Sequence, residues 1–510
     1  MASWAKRQGL AEPLIVQLPS DESGRRSFLQ RLKRFDPHVV GFRLEGGGLD
    51  EIKRWIAAVR GCCHAEIVLG GPTPTSHPGE VLDECGADYV FAGEAEEAFA
   101  RFLRVARQRN SKDRQPEISG LAYRYGGRTC VNTLPPDGYG RTVLDTQRLV
   151  CSNTLRCLRN GVRPVAPVEV IAANRLDWSL LTGFDGEMDG LYFTGGRGCP
   201  GSCTFCARLH GNDVRNKSAA QLLEEIADAD AKVAEGTIKL SRWHLFQHVE
   251  DPALRKRRVA WAAIYDEDFF LDRRRAIEFF RLWDKGPLPQ RYRISLQTNP
   301  CSMLAEGSAH DELLYWIDRV KPMVQLGAES FHDDLLLRWR KRHSVRELET
   351  VLTALDATRQ DYTVFQLLSD FDTTPEELIE SLRRMTLSAL RHRRMRIASS
   401  PFTIPLYDSE VRKRLEFDGR LCRSQATHFT DYERPQPGWM DPLTSELADL
   451  ADAELQYALQ PEHRNGALLQ AFEAVVDRIG RQRPSWRIRQ LQDQASRALE
   501  QVKDAQFQGV

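Results

Sequence analysis

The sequence predicts an α/β fold with two successive α/β units and a mainly helical C-terminal region. Short apolar segments alternate with amphipathic helical segments, glycines follow several of the apolar segments, and the alternation stops near residue 415. Strands that alternate with helices are typical of parallel sheets covered by helices. The chain has 510 residues, which is enough for several domains of ordinary size.

The first unit, residues 1–136, is predicted to be a Rossmann-like, doubly wound parallel sheet. Its predicted strands lie at 14–19, 39–44, 66–71 and 88–94, and its predicted helices at 27–35, 50–60, 79–85 and 95–108. Residues 117–136 are predicted to form a hairpin that turns at two adjacent glycines. Glycines that follow the strands fall at the carboxyl edge of the sheet, where such sheets bind ligands. These glycines are Gly46–Gly48, Gly70, Gly71 and Gly93.

The second unit, residues 188–415, is predicted to be a partial (β/α)6 barrel. Its six predicted strands lie at 191–196, 261–266, 293–298, 323–330, 362–369 and 395–402. In such barrels the chemistry takes place at the carboxyl ends of the strands. Residues 137–187 lack a strong hydrophobic period and are predicted to be a linker, and residues 416–510 are predicted to form a helical C-terminal domain.

The charge balance and the apolar segments exclude several classes of protein. Lysine plus arginine equal aspartate plus glutamate at 71 each, so the net charge is zero. This balance argues against nucleic acid or an anionic membrane as a general partner. No apolar run approaches the ~20 residues of a membrane-spanning helix, and the N-terminal segment lacks the apolar core of a secretion signal. We therefore expect a cytoplasmic protein.

Three of the eleven cysteines lie together in the segment GCPGSCTFC, directly after the first predicted barrel strand. Cys199, Cys203 and Cys206 on this tight loop can point at one centre. Three thiolates can hold a 4Fe–4S cluster and leave its fourth iron open to a small-molecule ligand. The alternative is a zinc site, which needs a fourth ligand, and His210 is the nearby candidate.

This segment resembles the CxxxCxxC signature of the radical S-adenosylmethionine (SAM) superfamily. The resemblance implies that the three cysteines ligate a 4Fe–4S cluster, that SAM chelates the open iron, and that electron transfer cleaves SAM to a 5′-deoxyadenosyl radical. Residues 14–415 are further similar to the branch with an N-terminal cobalamin (B12)-binding-like domain, through IVLGGPTPTSHPGEVL, ADYVFAGEAEEAF and LGAESFHDDLLLRWRKRHS. The resemblance also implies an electron donor such as a flavodoxin or ferredoxin, and a small-molecule or peptide substrate.

The resemblance assigns SAM contacts to the ends of the barrel strands. Glu329, in the segment GAES, matches the position on the fourth strand that contacts the polar end or the ribose of SAM. A salt-bridged structural glutamate is the alternative. Gln297 ends the third strand and can line the same face. Asp266 and Asp268 end the second strand, where a carboxylate can serve SAM, the substrate or a proton relay, or be structural.

The resemblance to the cobalamin branch assigns Gly70, Gly71 and Gly93 to a corrin site, since small residues let the ring approach the backbone. Two departures bear on this assignment. The first strand and helix of the usual domain are missing or remodelled, which leaves one side of the crevice open. No DxHxxG motif is present, so no histidine is expected to bind cobalt from below.

The segment 239–259 is longer than the usual connection in this branch and carries two histidines. His244 and His248 have the i, i+4 spacing that can hold a metal on a helix face, but without a third ligand nearby we expect surface or packing histidines. The basic runs 255–258 and 391–394 are either solvated faces or part of a site for an anionic substrate.

Three functions remain open on the sequence alone. The first is a radical SAM enzyme that uses cobalamin to methylate an unactivated carbon. The second is a non-methylating radical SAM enzyme that catalyses a cyclisation, rearrangement or addition and keeps a vestigial cobalamin domain. The third is a non-catalytic metal-binding protein.

Overall fold

The computed structural model describes most of the chain, with gaps. The described residues are 1–16, 18–19, 21–45, 48–107, 118–132, 165–181, 186–401, 409–420, 440–459 and 464–507. Gly46, Gly47, the close pair Cys151 and Cys157, and most of the predicted linker lie outside the described residues. None of the helices in the described ranges is both long enough and apolar enough to span a membrane.

The N-terminal part of the chain forms a five-stranded sheet whose strands lie side by side in chain order. β1 (Val39–Arg43), β2 (Glu66–Gly70) and β3 (Tyr89–Phe91) are parallel, and β4 (Leu121–Tyr125) and β5 (Arg128–Val131) add the predicted antiparallel hairpin. The helices of this part are α1 (Ala2–Arg7), α2 (Glu22–Phe35), α3 (Leu49–Arg60), α4 (Pro72–Ser76), α5 (Pro78–Cys85) and α6 (Glu96–Arg107). The sheet is of the predicted Rossmann-like type, and its described strands show no reversal of strand order.

The predicted strand at 14–19 is not a strand of this sheet. Ile15 forms an isolated parallel bridge to Leu181, and β1 is the outer strand on that side among the described residues. The prediction was wrong because a short apolar run has no period that distinguishes a strand from a segment packed on another surface. Leu18 packs in this way against the N-terminal core.

The second unit is a curved sheet of six parallel strands in chain order, which confirms the predicted partial barrel. Its strands are β6 (Gly190–Phe193), β9 (Ala260–Ile264), β10 (Tyr292–Thr298), β13 (Met323–Glu329), β14 (Tyr362–Leu367) and β15 (Met395–Ser400). Two short antiparallel ribbons lie outside it, formed by β7 (Gly196–Arg197) with β8 (Arg215–Asn216) and by β11 (Leu304–Ala305) with β12 (Ser308–Ala309).

Helices cover the barrel strands and start where the sequence provides caps. They are α7 (Val168–Ala173), α8 (Ala219–Ala234), α9 (Pro252–Arg255), α10 (Arg273–Lys285), α11 (Asp311–Val320), α12 (Asp333–Arg338), α13 (Val345–Ala357), α14 (Pro375–Arg391) and α15 (Glu410–Phe417). Reciprocal capping boxes start α8, α13 and α14, at Ser218 with Gln221, Ser344 with Glu347, and Thr374 with Glu377. Each box satisfies two backbone donors that a helix start otherwise leaves unpaired.

The C-terminal region is helical, as predicted, with α16 (Pro442–Leu455), α17 (Arg464–Gly480) and α18 (Trp486–Phe507). Buried residues of these helices, among them Leu447, Phe472 and Leu491, belong to the same apolar core as Leu352 and Leu382 of the barrel helices. The helices therefore complete the core of the barrel. The predicted domain boundaries at 136, 187 and 415 stay predictions.

Candidate active site

The three clustered cysteines lie on a loop at the carboxyl end of β6. The loop leaves the barrel through β7 and returns through β8, and these two strands pair at its neck. Gly198 has a φ of +92°, and a Cβ there would lie 2.0 Å from the carbonyl oxygen of Asp213. Only glycine fits this conformation, which brings the chain back over itself and lets the Cys199 N–H donate to the Gly211 carbonyl at 3.2 Å.

The three thiols are free and half-buried, and those of Cys199 and Cys203 lie next to Gly201. A Cβ on Gly201 would lie 3.2 Å from Cys199 Sγ and 3.9 Å from Cys203 Sγ. The backbone N–H of Gly201 donates to Cys199 Sγ, and that of Arg208 donates to Cys206 Sγ, both at 3.4 Å. Burial raises the pKa of Cys203, and the nearby ammonium of Lys341 acts in the opposite direction.

This donor set fits a 4Fe–4S cluster, since soft thiolates with N–H groups directed at the sulfurs are typical of such sites. Within the described ranges, no group of three or more His, Cys, Asp or Glu side chains is arranged to hold a single metal ion. His210, the fourth ligand of the zinc alternative, has its Nδ1 2.8 Å from a Glu94 carboxylate oxygen. The donor set therefore supports a cluster with one cysteine per iron, and the zinc alternative with His210 stays a prediction.

Glu329 ends β13 beside a buried lysine that the sequence analysis missed. Lys341 Nζ lies 3.4 Å from Glu329 Oε1 and donates to Asn299 Oδ1 at 2.8 Å. The Lys341 side chain is 4% exposed and that of Glu329 is 15% exposed. Burial lowers the pKa of Lys341, but Glu329 and Cys203 raise it more, so the ammonium stays charged. Lys341 thus joins the predicted SAM position to the cysteine loop.

The backbone of Glu329 is strained. Its φ is +66°, in the left-handed region, and the register of β13 against β14 shifts between Gly327 and Glu329. Next to it, the buried His343 ring has its Nε2 3.1 Å from the Ala328 carbonyl oxygen. Burial, helped by Lys341, lowers the pKa of His343 to about 3, so this ring is neutral.

The other predicted strand-end residues divide between the barrel interior and the scaffold. Gln297 faces the barrel interior with Glu329, because its neighbour Leu296 is in the core and side chains alternate along a strand. Asp266 is buried and accepts from the backbone N–H groups of Gly195 and Gly196 at 2.6 and 2.7 Å.

Both N–H groups donate to one carboxylate oxygen of Asp266, which thereby holds the start of the cysteine loop, while the other oxygen pairs with Arg275 at 3.0 Å. Asp268 likewise accepts from the side chains of Thr298, Asn299 and Ser302. These contacts give both aspartates a structural role. Direct contact of Asp266 with a cofactor stays a prediction.

A cavity of about 2210 Å³ lies between the N-terminal sheet and the carboxyl face of the barrel. Gly70, Gly71 and Gly93 line it from the sheet, and Tyr192 and Tyr265 line it from the barrel. The two tyrosine rings stack at 5.7 Å. The cavity exceeds the ~300–1,000 Å³ of pockets for drug-sized ligands, so it suits a larger cofactor.

The glycine-edged turns are tightly built. Gly71 has a φ of +121°, and a Cβ there would lie 2.6 Å from the Leu44 carbonyl oxygen. Gly93 has a φ of +75°, and its N–H donates to Thr75 Oγ1 at 2.9 Å. By contrast, a Cβ on Gly70 would meet nothing closer than a methionine side chain at 3.5 Å.

The two histidines of segment 239–259 do not form the predicted helix face. The helix of this segment is α9, which begins after both of them. His248 is next to Gln247 and lies 3.9 Å from Asp361, and no described third ligand completes a metal site. The segment instead packs under the barrel, where the Leu245 carbonyl accepts from the buried Arg293 of β10.

The basic run 391–394 is engaged in ion pairs within the chain. His392 lies 3.0 Å from Asp356 and 2.9 Å from Glu349. Burial alone lowers the pKa of His392, but the two carboxylates raise it to about 9. Arg394 pairs with Glu250. These contacts support a structural role over an anionic substrate site.

Comparisons with known proteins agree with this geometry. The B12 binding domain family matches residues 15–103, and the Radical SAM superfamily matches residues 193–385. A search of curated proteins finds no match.

Two solved structures share the fold over most of the chain. The cobalamin-dependent SAM radical enzyme OxsB, with aqua-cobalamin bound, is 12% identical, covers 94% of this chain and superposes with a TM-score of 0.60. This chain spans 66% of the OxsB chain. The second is the radical SAM methyltransferase TsrM from Kitasatospora setae, with cobalamin and a [4Fe–4S] cluster bound, which is 12% identical in sequence and superposes with a TM-score of 0.54. The superposition covers 94% of this chain and 91% of the TsrM chain.

The chain therefore carries a Radical SAM domain and, before it, a B12-binding domain. This pair of domains confirms the predicted family resemblance and the predicted set of cofactors, namely a 4Fe–4S cluster, SAM and cobalamin.

Proposed function

We propose that this protein is a cobalamin-dependent radical SAM methyltransferase that transfers a methyl group to an unactivated carbon atom. The observation that carries the proposal is the interdomain cavity, because it joins the glycine-edged turns of the B12-type domain to the barrel face that bears the cysteine loop. When bound, the cluster and SAM supply radical chemistry, and cobalamin supplies a carrier for the methyl group.

The cysteine loop would hold the cluster. Cys199, Cys203 and Cys206 each ligate one iron and leave the fourth open to SAM. The N–H groups of Gly201 and Arg208 stabilise two of the sulfurs in the thiolate form. Asp266 holds the start of the loop in place through Gly195 and Gly196.

Glu329 and Lys341 would orient SAM. The Glu329 carboxylate accepts hydrogen bonds from the SAM ammonium or from its ribose hydroxyls, which are strong contacts because the acceptor is charged. Lys341 contacts this carboxylate at 3.4 Å and is itself held in place by its hydrogen bond to Asn299. Gln297 faces the same interior and can donate or accept a further hydrogen bond.

Gly70, Gly71 and Gly93 would admit the corrin ring against the backbone. The described cavity lining includes His38, His64 and His210. His38 and His64 precede β1 and β2, at the opposite edge of the sheet from the glycines, and His210 contacts Glu94. We therefore expect cobalamin to bind without a histidine on cobalt.

We further propose a reducing, cytoplasmic setting, a small-molecule or peptide substrate, and an electron donor such as a flavodoxin or ferredoxin. The proposed cluster motivates the donor, since it must receive one electron for each SAM cleaved.

Anaerobic reconstitution with iron, sulfide and cobalamin tests the proposal. We expect iron–sulfur absorbance together with a base-off cobalamin spectrum, and formation of S-adenosylhomocysteine when SAM and a reductant are added. Retention of a cluster without cobalamin, with 5′-deoxyadenosine as the SAM product, would contradict methyl transfer. That result would favour the non-methylating radical enzyme, for which the open side of the sheet at β1 is the supporting observation.

A further inference from the structure

Two glutamates of the N-terminal domain meet two arginines at the neck of the cysteine loop. Arg197 and Arg215 are paired residues of the β7–β8 ribbon. Arg215 donates to both carboxylate oxygens of Glu94, at 2.6 and 2.9 Å. Arg197 donates to Glu96 at 2.7 Å and lies 3.4 Å from Glu94.

This ion network is buried and fully hydrogen-bonded around Glu94. The side chains of Glu94 and Arg215 are 3% and 9% exposed. Glu94 also accepts from the Ala166 N–H at 2.6 Å, and Arg215 also donates to the carbonyl oxygens of Ala166 and His210. Burial alone raises the pKa of Glu94, but hydrogen bonds from His210 and Arg215 lower it to about 2.

The network joins the two proposed cofactor sites through adjacent residues. Gly93, which lines the cavity, is the residue before Glu94. Arg197 lies two residues before Cys199, the first cysteine of the loop. Glu94, Glu96 and Arg197 also line this cavity. A displacement of either site relative to the other would break charge-assisted hydrogen bonds between largely buried side chains, which are stronger than bonds between exposed groups.

We propose that Glu94 and Glu96 are positioning residues that fix the cysteine loop against the N-terminal domain and so set the separation of the cluster and cobalamin. The part that concerns cobalamin rests on the proposed function, whereas the fixing of the loop does not. Buried ion pairs contribute little net stability compared with apolar packing, but they specify one geometry. That property suits two cofactors that must exchange a group across a domain interface.

The test compares Glu94→Gln with the matched control Asp230→Asn in the full-length protein. Asp230 is also a poorly exposed carboxylate that pairs with an arginine, Arg291, and accepts from the Tyr292 hydroxyl at 3.0 Å. Its contacts lie at the amino end of β10, away from the cysteine loop. The two variants therefore lose the same kind of interaction in different places.

The first measurement is hydrogen exchange of residues 197–215 in protein that carries the cluster but no cobalamin. Loss of a charge-assisted hydrogen bond should speed this exchange by about tenfold or more in Glu94→Gln. Asp230→Asn should leave exchange of this segment unchanged, and Glu94→Asp, which keeps the charge, should lie between. Equal exchange in wild type and Glu94→Gln would overturn the proposal.

The second measurement is the dipolar coupling between cob(II)alamin and the reduced cluster, by pulsed paramagnetic resonance. We expect a single narrow distance distribution in the wild type and in Asp230→Asn, and a broadened one in Glu94→Gln at unchanged iron and cobalt content. A narrow distribution in Glu94→Gln, or equal broadening in both variants, would overturn the positioning role.

The two proposals fail in different ways. A wild type that binds no cobalamin contradicts the proposed function, while the exchange measurement still decides whether Glu94 fixes the loop. If Glu94→Gln does not fold, Glu96→Gln, which removes one contact to Arg197, takes its place in both measurements with the same expected directions.

Discussion

Replacement of Glu329 by glutamine tests whether this carboxylate serves SAM or the fold. Glutamine keeps the size of the side chain and an acceptor oxygen near Lys341 but removes the negative charge. If the carboxylate receives a charge-assisted hydrogen bond from SAM, its loss costs roughly 1.5–3 kcal/mol of binding free energy. That corresponds to SAM affinity roughly ten- to a hundredfold weaker.

The strained backbone of Glu329 supplies a second variant, Glu329→Gly. A φ of +66° costs a non-glycine residue roughly 1–2 kcal/mol, and glycine adopts it freely. The added flexibility of glycine offsets roughly 0.5–1 kcal/mol of that relief. Both variants lose the charge that faces Lys341, but only glutamine keeps an acceptor for it, which is worth roughly 0.5–1.5 kcal/mol. The relief of strain and the loss of the acceptor therefore nearly cancel, and the two variants should have nearly equal stability.

The assays are thermal unfolding of each variant and titration of SAM against the resonance signal of the reduced cluster. We expect both variants to keep the cluster spectrum, to bind SAM weakly, and to have nearly equal free energies of unfolding. Wild-type SAM affinity in either variant, with an intact cluster, would refute the reasoning and make Glu329 a structural residue. A glycine variant much less stable than the glutamine variant would refute the strain argument.

Three further predictions concern other parts of the molecule. Replacing any one cluster cysteine, for example Cys199→Ala, should abolish or greatly reduce the iron–sulfur absorbance near about 400 nm, because a three-thiolate site has no spare ligand. Full iron loading of a variant that lacks all three cysteines would contradict this. Gly70→Phe should place a ring in the cavity without a backbone clash, so it should release cobalamin and leave the cluster spectrum unchanged. Retained cobalamin in this variant would show that the corrin site lies elsewhere. The raised pKa of His392, about 9 against an ordinary 6.5, stabilises the fold fully below pH 6.5, and this contribution is lost as pH rises through 9. The free energy of unfolding should fall by up to about 3 kcal/mol over that pH range. The variant His392→Gln should show a flatter dependence of this free energy on pH. An unchanged pH dependence in the variant would show that other groups titrate there.

The barrel and the cysteine loop could be predicted from the sequence because their signals are local. Six apolar segments separated by amphipathic helices specify parallel strands, and GCPGSCTFC specifies a tight loop with three thiols. The apolar run 14–19 has neither an alternating nor a helical period, so nothing in it distinguishes a strand from a packed segment. The structure supplies the missing information, since Ile15 bridges to Leu181 and no described residue of the run pairs with β1 as a strand.

Lys341 and Glu94 could not be predicted because their roles depend on contacts distant in the chain. Lys341 stands within the basic segment RWRKRHS, which by composition is typical of a solvated surface. Its burial depends on Asn299, 42 residues away. Glu94 is one of three glutamates in GEAEE, and its partner Arg215 is 121 residues away. Such pairings appear only in the folded chain, and the second of them crosses from the N-terminal sheet to the barrel.

The shared core of the barrel and the C-terminal helices has a consequence for synthesis of the chain. Part of the apolar face of α14 is covered by α18 and is therefore buried only after the C-terminal helices have left the ribosome. Those helices end at Phe507, about 100 residues after β15, so at roughly 5–20 residues per second this surface stays uncovered for roughly 5–20 seconds. During that interval the uncovered apolar surface promotes aggregation, and a chain that ended after residue 415 would expose it permanently.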